Sequence, residues 1–270
     1  MIIKVFLLFI LNHIIFDFIF QGKSIIKNRF PKEVDLSNKK NIWRKIKVTI
    51  KGNIIHSLLH FIGMIIIIVF IKTNKLTLFI KALNISFLHF FIDEIKSILV
   101  LYKNKYRNNI WIFISDQIMH LLAISMIILG VNNIRSIYGY NLDTMDKILL
   151  TVVVLFIVTV VTGIFIKVFI NDLMPEKKTP DTFNEIINSC ESVGAKNGGF
   201  IIGILERILI FISMIIEYYS IIGFILTAKS IARFNKLSDQ CFAEYFIIGN
   251  LISFTSAILG GIFIRYILKN

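Results

Sequence analysis

Residues 11–20 read LNHIIFDFIF, an apolar run that contains one histidine and one aspartate. His13 and Asp17 stand four positions apart, which places both side chains on one face of a helix, one turn from each other. Ionisable groups are costly in hydrocarbon and need a charged partner, water or a metal ion there. This stretch therefore predicts a membrane helix that presents a polar pair to other helices.

The composition of the whole chain is that of a membrane protein. Of its 270 residues, 56% are hydrophobic, whereas soluble domains are about 45–50% apolar. The excess is concentrated in runs of about 18 or more residues, which are typical of membrane-spanning helices. With 3 prolines and 14 glycines in the chain, these runs favour long helices. The sequence predicts an all-α, polytopic membrane helix bundle.

The hydrophobic runs define seven segments. They cover residues 2–21, 53–71, 76–102, 110–130, 148–170, 199–223 and 241–267. We expect three parts: a four-helix membrane bundle over 1–130, a fifth helix with a cytoplasmic loop and short helix over 131–198, and C-terminal hydrophobic helices over 199–270. The sixth segment could instead break near Tyr218–Gly223 and return as a re-entrant or interfacial helix.

The net charge of +13 is explained first by membrane orientation, because basic loops remain in the cytoplasm. Residues 22–52 hold ten basic and two acidic residues, the loop at 103–109 is also basic, and the loop at 131–147 is neutral. Alternation predicts a multi-pass protein of the cell inner (plasma) membrane with its N-terminus outside and loop 22–52 in the cytoplasm. No specific nucleic-acid partner is expected.

Three further segments carry polar pairs with the same spacing. The second segment begins with IIHSLLHFIG, the third contains LHFFIDEIK and the fourth begins with ISDQIMHLL. The four pairs contain all five histidines of the chain: His13 and Asp17, His56 and His60, His89 and Asp93, Asp116 and His120. The predicted topology places every pair at one depth, nearer the cytoplasmic face. We therefore expect the first four helices to surround one polar site.

Five histidines and three aspartates are good ligands for divalent Zn, Mn or Fe. Eight donors exceed the usual need of one ion and suit two ions about 4 Å apart. Three carboxylates, two divalent ions and one hydroxide also balance in charge. Some of the eight residues could orient a ligand through a hydrogen bond instead of binding metal. A metal-free proton or ion pathway and a purely structural polar network are the alternatives.

Charged residues in the C-terminal part are candidate catalytic groups. Glu206 is a candidate general base or additional ligand, and Lys229 and Arg233 are candidate phosphate binders. The alternative is that these residues pair with one another, with Arg207 or with neighbours, or face water and lipid headgroups.

The polar motifs resemble those of an uncharacterised bacterial and phage integral-membrane family, of the domain of unknown function 3307 type. The resemblance rests on HIIFDFIFQ (13–21), HSLLH (56–60), HFFID (89–93) and DQIMH (116–120), with LERILI (205–210), IGFILTAKSIARF (222–234) and AEYFIIG (243–249) further on. It implies a membrane protein of the same kind and brings no established activity. A looser similarity, in residue types alone, is to membrane-bound metal-dependent hydrolases.

Three functions are compatible with these features. The leading one is a metal-dependent hydrolase acting on a lipid or lipid-linked (phospho)ester, because such a substrate reaches a site in the inner leaflet. The second is a metal-ion or proton transporter or channel. The third is a non-catalytic membrane anchor or effector with a structural metal, whose basic loop and residues 171–198 recruit a soluble cytoplasmic partner. The oligomeric state stays open.

Overall fold

The computed structural model describes residues 1–31, 39–72, 74–130, 142–173 and 198–269. Within these ranges every regular element is a helix or a helical turn. The short helix predicted within 171–198 lies, from residue 174 to 197, outside the described residues. The chain divides into two units, Met1–Val153 and Val154–Asn270. This boundary and the predicted one at residue 130 both keep the four paired helices together.

Four helices of the first unit form a closed ring. The elements of this unit are α1 (Ile2–Phe18), α2 (Lys23–Arg29), α3 (Lys39–Phe70), α4 (Lys75–Tyr102), a 3-10 turn (Asn104–Asn108), α5 (Ile110–Leu129) and the start of α6 (Thr144–Phe156). Helix α3 packs against α1 and α4, and α5 packs against α4 and α1. The predicted four-helix bundle is therefore confirmed, with α2 added against the side of α3.

Polar residues fix the ends of these apolar helices. The side chain of Asn74 accepts a hydrogen bond from the backbone N–H of Thr77, and Asn109 caps α5 in the same way through Ile112. Helix α5 ends at Gly130, whose φ of 74° is readily adopted by glycine. The caps satisfy backbone groups at the ends of segments whose middles are apolar.

The predicted loop at 22–52 is largely helical. It contains α2 and the first fourteen positions of α3, which begins at Lys39 rather than at residue 53. Lysine and arginine are good helix formers, so α3 continues past the apolar segment into a basic extension. The side chain of Trp43 in this extension is 66% exposed, as suits an aromatic residue at a membrane interface.

Among the described residues, six helices are long and apolar enough to cross a membrane. They are 43–70, 75–102, 110–129, 144–173, 198–215 and 242–269. Helix α1 adds 17 residues, the lower end of the range for a spanning helix. Large apolar side chains such as Phe70, Trp111 and Phe224 are exposed on the surface of the protein. The chain is thus a multi-pass membrane protein, while its orientation and the kind of membrane stay predictions.

The second unit is also helical. It begins within α6 and contains a π-helical segment (Ile157–Val161), α7 (Thr162–Leu173), α8 (Gly198–Ile215), α9 (Ser220–Ala232), a 3-10 turn (Phe234–Lys236) and α10 (Gln240–Lys269). Helix α8 ends at Ile215, three residues before the predicted break at Tyr218–Gly223, and Glu217 adopts a φ of 64° before α9 starts at Ser220. Lys269 and Arg265 of α10 hold the Glu217 carboxylate, and they lower its pKa.

A buried arginine joins the helices of the second unit. Arg207 of α8 donates from Nε at 3.2 Å and Nη2 at 2.8 Å to the carbonyl of Thr159, in the π-helical segment. Its Nη1 donates to Ser253 Oγ of α10 at 3.1 Å. A Cβ added at Gly163 would lie 2.8 Å from Nη2, so the absence of a side chain there admits the guanidinium. Arg207 thereby cross-links three elements of the unit.

Gly63→Ala is expected to destabilise the first unit. At the crossing of α1 and α3, a Cβ at Gly63 would overlap Asn12 Oδ1 and the ring of Phe16. Separating the helices to relieve this overlap should lower the free energy of unfolding by about 1–3 kcal/mol. Unfolding of the detergent-solubilised protein measures it. The control is Gly223→Ala in α9, where a Cβ meets nothing within 4 Å. Equal stability of both variants would contradict the close crossing.

Candidate metal centre

The four polar pairs converge inside the ring formed by α1, α3, α4 and α5. Each pair lies on one face of its helix because its members are four positions apart. The side chains brought together are His13, Asp17, His56, His60, His89, Asp93, Asp116 and His120. All eight residues are between 0 and 8% exposed. The structure therefore assembles the complete predicted cluster, while the role of its members as ligands stays a prediction.

Asp17 is surrounded by four histidines. Its Oδ1 is 2.9 Å from His56 Nε2, 3.1 Å from His60 Nε2 and 3.6 Å from His89 Nε2. Its Oδ2 is 3.8 Å from His13 Nε2. The two shortest contacts are hydrogen bonds across the α1–α3 crossing. One carboxylate thus has imidazole partners on three different helices.

Asp93 is the second centre of the cluster. Its Oδ2 is 3.2 Å from His89 Nε2 and 3.6 Å from His56 Nε2. Its Oδ1 is 3.4 Å from His120 Nε2, which in turn is 3.6 Å from Asp116 Oδ1. The two oxygens of Asp93 therefore face different histidines.

The donor atoms form three overlapping groups, and within each group they lie within 4.8 Å of one another. The groups are His13, Asp17, His60 and His89; His56, His89 and Asp93; and Asp93, Asp116 and His120. His89 and Asp93 each belong to two groups. The overlap makes the cluster one continuous donor set rather than three separate sites.

Several atoms of this donor set lack a hydrogen bond within the described part of the chain. They are His13 Nδ1, His56 Nδ1, His89 Nε2, Asp93 Oδ2, Asp116 Oδ1 and His120 Nε2, whereas Asp93 Oδ1 forms an ion pair with Arg29 Nη2. Buried polar atoms are almost always bonded. Around a tetrahedral ion with ligand bonds of about 2.0–2.1 Å, neighbouring donors are about 3.3 Å apart. The unbonded atoms and their spacing both fit a divalent metal ion.

Arg29 joins the cluster and was missed in the sequence, where it counted as a loop charge. Its Nη2 lies 2.5 Å from Asp93 Oδ1, and its Nε donates to Asn53 Oδ1 at 2.8 Å. It is the last residue of α2 and is 3% exposed. At Gly52 of α3 a Cβ would meet the Arg29 backbone nitrogen at 2.9 Å, so the glycine lets α2 approach. A helix of seven residues is too short for its hydrophobic periodicity to predict that Arg29 is buried.

Lys96 and Gln117 also contact carboxylates of the cluster. Lys96 Nζ is 2.6 Å from Asp116 Oδ2. Gln117 donates from Nε2 to Asp116 Oδ2 at 3.1 Å and to Asp17 Oδ2 at 3.4 Å. A signal for Lys96 was available, because it follows Asp93 by three positions and so shares its face of α4. Arg29 pairs with Asp93, and Lys96 pairs with Asp116. Within the described residues, Asp17 is therefore the aspartate of the cluster that has no lysine or arginine partner.

A second layer of hydrogen bonds supports Arg29 and α4. Asn53 Nδ2 donates to Glu94 Oε2 at 2.7 Å and to Ser97 Oγ at 2.9 Å. Thr49 Oγ1 donates to Glu94 Oε1 at 2.7 Å. Asn53 thereby links the guanidinium to a fourth buried carboxylate. Such outer partners orient ligands and limit their movement.

The three predicted catalytic residues lie in the second unit. Glu206 Oε2 of α8 is 2.5 Å from Lys229 Nζ of α9, so the pair forms with Lys229 rather than with the adjacent Arg207. Lys229 Nζ also lies 5.9 Å from the centre of the Phe246 ring. Arg233 follows the last residue of α9 and is partly buried. The catalytic roles of Glu206, Lys229 and Arg233 stay predictions.

The fold and the cluster define a multi-pass membrane protein with a buried His/Asp site. Residues 5–149 match the family described as protein of unknown function DUF3307, and this match covers all four pairs. The chain therefore belongs to the DUF3307 family, which confirms the resemblance seen in its motifs. No curated protein and no solved structure matches the chain. The function is therefore to be inferred from the chemistry of the site.

Breaking the Arg29–Asp93 pair in metal-free protein is expected to be costly. Arg29→Gln or Asp93→Asn leaves a buried, uncompensated charge and should lower the free energy of unfolding by about 3–5 kcal/mol. The double variant should lose much less than the sum of the two, since it removes both charges. Unfolding in the presence of a chelator measures the cycle.

The matched control for this cycle is Arg265→Gln. Arg265 pairs with the exposed Glu217 at 2.7 Å, and exposed ion pairs contribute little to stability. Additive losses in the Arg29 and Asp93 variants would show that the two side chains are not coupled as the structure describes.

Proposed function

We propose that the protein is a metal-dependent hydrolase that acts on a lipid or lipid-linked phosphoester. The observation that supports it is the convergence of eight buried donors, several without hydrogen bonds, into one overlapping set. Structural packing alone gives no reason to bury atoms of this kind unbonded. A site of this composition suits one or two ions of Zn, Mn or Fe.

The donor groups suggest how two ions would be held. His13, Asp17, His60 and His89 would bind one ion, and Asp93, Asp116 and His120 the other. His56 lies between Asp17 and Asp93, at 2.9 Å and 3.6 Å from their oxygens, and would support both groups. Divalent ions at such a site lower the pKa of a bound water and stabilise charge on a phosphoryl oxygen.

Hydrolysis of a phosphoester requires a balanced transfer of one water molecule. A bond forms between the water oxygen and phosphorus, the bond from phosphorus to the leaving alcohol breaks, and a proton from water ends on that alcohol. Glu206, which the sequence predicts as a general base, lies in the second unit with its carboxylate 2.5 Å from Lys229 Nζ, and its role stays a prediction.

The surroundings of the cluster favour a substrate that comes from the membrane. The ring helices present apolar side chains outward, among them Leu58, Phe87 and Met119. The basic extension of α3 carries the exposed residues Arg44 and Lys47 beside Trp43. Basic and aromatic residues at a membrane surface attract anionic headgroups. We therefore propose a lipid headgroup as the reacting part of the substrate.

Transport is the second candidate, and helix continuity argues against it. Transporters commonly build their sites on discontinuous helices near the midplane. Helices α1, α3, α4 and α5 pass the cluster without a break. The third candidate, a membrane anchor or effector with a structural metal and a soluble partner, differs from the first by having no turnover.

The purified, detergent-solubilised protein is expected to hold about one to two divalent ions per chain. Removing two donors of one group in His60→Ala/His89→Ala should abolish most of this metal, as measured by elemental analysis. Asp146→Asn, at a buried carboxylate of α6 outside the donor groups, is the matched control and should retain it. Metal-free protein after incubation with Zn, Mn or Fe would refute the metal centre.

Metal-loaded protein in mixed micelles is expected to release alcohol or phosphate from a phosphoester lipid. His89→Ala removes a donor shared by two groups and should reduce the rate by more than about 100-fold. Removing a residue that only supports a ligand reduces activity by at most about 100-fold. Lys81→Gln, which removes a bond from α4 to the Ile128 carbonyl, should leave the rate unchanged. Full activity of His89→Ala on every substrate tested would rule out this centre as catalytic. Metal flux in proteoliposomes without turnover would favour transport.

A further inference from the structure

We propose that Arg29 and Lys96 bind the phosphate group of the substrate beside the metal centre. This inference rests on the proposed metal centre and assigns the substrate class as a phosphate-bearing anion. The residues differ from Lys229 and Arg233, for which a phosphate role was predicted from the sequence.

Both cations flank the same group of donors. Arg29 contacts Asp93 Oδ1 at 2.5 Å, and Lys96 contacts Asp116 Oδ2 at 2.6 Å. Asp93 and Asp116 form one donor group together with His120. The cations therefore reach this group from two helices, α2 and α4. An anion bound at this group would have a positive side chain from each of those helices nearby.

The charge of the loaded centre calls for an anion. The described cluster and its second layer contain four buried carboxylates, Asp17, Asp93, Asp116 and Glu94. Arg29 and Lys96 offset two of these charges, which leaves a net charge of −2. Two divalent ions would bring it to +2. A buried excess of positive charge is costly unless an anion compensates it. The negative charge of a phosphate group is suitable for compensating this excess.

The donors of these side chains suit phosphate oxygens. Arginine presents five N–H groups in a planar fork that matches phosphate, and lysine offers three donors from one point charge. Asp93 and Asn53 occupy the Nη2 and Nε positions of Arg29. A metal ion bound to Asp93 and Asp116 would draw charge from their oxygens. The two carboxylates would then bind Arg29 and Lys96 less tightly, and N–H donors of both side chains would become free for the substrate.

Lys96 also marks the accessible side of the site. Its side chain is 21% exposed, whereas that of its partner Asp116 is 4% exposed. Lys96 therefore connects the buried donor group with the outside of the ring. An arriving anion meets this lysine before it meets the carboxylates, which is a favourable order for an anionic ligand.

The test uses full-length protein loaded with Mn²⁺ in maltoside micelles, with inorganic phosphate as the probe. Paramagnetic broadening of the ³¹P signal reports phosphate bound near the metal, independently of turnover. Arg29→Gln and Lys96→Gln should each weaken phosphate binding about 10- to 100-fold, as expected for the loss of a charged hydrogen bond. Their Mn²⁺ content should stay at the wild-type level. Arg29→Lys keeps the charge without the fork and should give a smaller loss.

Lys81→Gln and Arg265→Gln are the controls, and both should bind phosphate as the wild type does. If the metal binds and phosphate binds equally well to Arg29→Gln and Lys96→Gln, the assignment of these residues is wrong. If the metal binds and the ³¹P signal is not broadened, the substrate class is wrong. Loss of Mn²⁺ binding in the wild type itself would instead refute the metal centre.

A second probe separates the two sources of phosphate. A short-chain phosphatidic acid carries the same phosphate group on a lipid, and it should displace inorganic phosphate from the Mn²⁺-loaded protein. Displacement that is weakened by Lys96→Gln supports a lipid headgroup. Binding of inorganic phosphate that the lipid cannot displace would overturn the lipid source and leave free phosphate as the ligand.

Discussion

The hydrogen bonds from His56 and His60 to Asp17 Oδ1 are the contacts on which the rest of the first unit depends. A carboxylate buried among apolar helices is stable only if its partners are correctly placed. This requirement fixes the register of α3 against α1, and His89 brings α4 to the same oxygen at 3.6 Å. Apolar helix surfaces pack equally well against many neighbours and would not fix the positions of the helices. The polar centre does fix them.

The polar centre could be predicted from the sequence because it obeys a local rule. Each pair is spaced by four positions, and the basic loops gave a common depth, so the eight residues of the cluster were identifiable without coordinates. Arg29 and the extension of α3 were not, because their positions depend on contacts between distant segments. The approach of α2 to Gly52 and the bond from Arg29 to Asn53 have no signature in a seven-residue basic stretch. The charge balance drawn from the sequence left out Arg29 and Lys96 for the same reason.

The two units accommodate buried charge by different chemical means. In the first unit, imidazole and carboxylate groups face one another and leave atoms unbonded, which favours a metal ion. In the second unit, the guanidinium of Arg207 is satisfied by a carbonyl of the π-helical segment and by Ser253. The metal-compatible groups found among the described residues all lie in the first unit. The first unit therefore holds the cluster that could bind a metal ion, and in the second unit Arg207 is a structural cross-link.

Helix α1 has a consequence for biogenesis. It is short, with 17 residues, and it carries both Asp17 and His13 towards its C-terminal end. Released alone into lipid, this helix would expose an unpaired acid to the acyl chains, which is unfavourable. The partners of Asp17 follow in the order of synthesis, and the last of them, Gln117, donates to Asp17 from α5. The nascent chain must therefore keep α1 near water or the insertion machinery until about half of the protein has been translated.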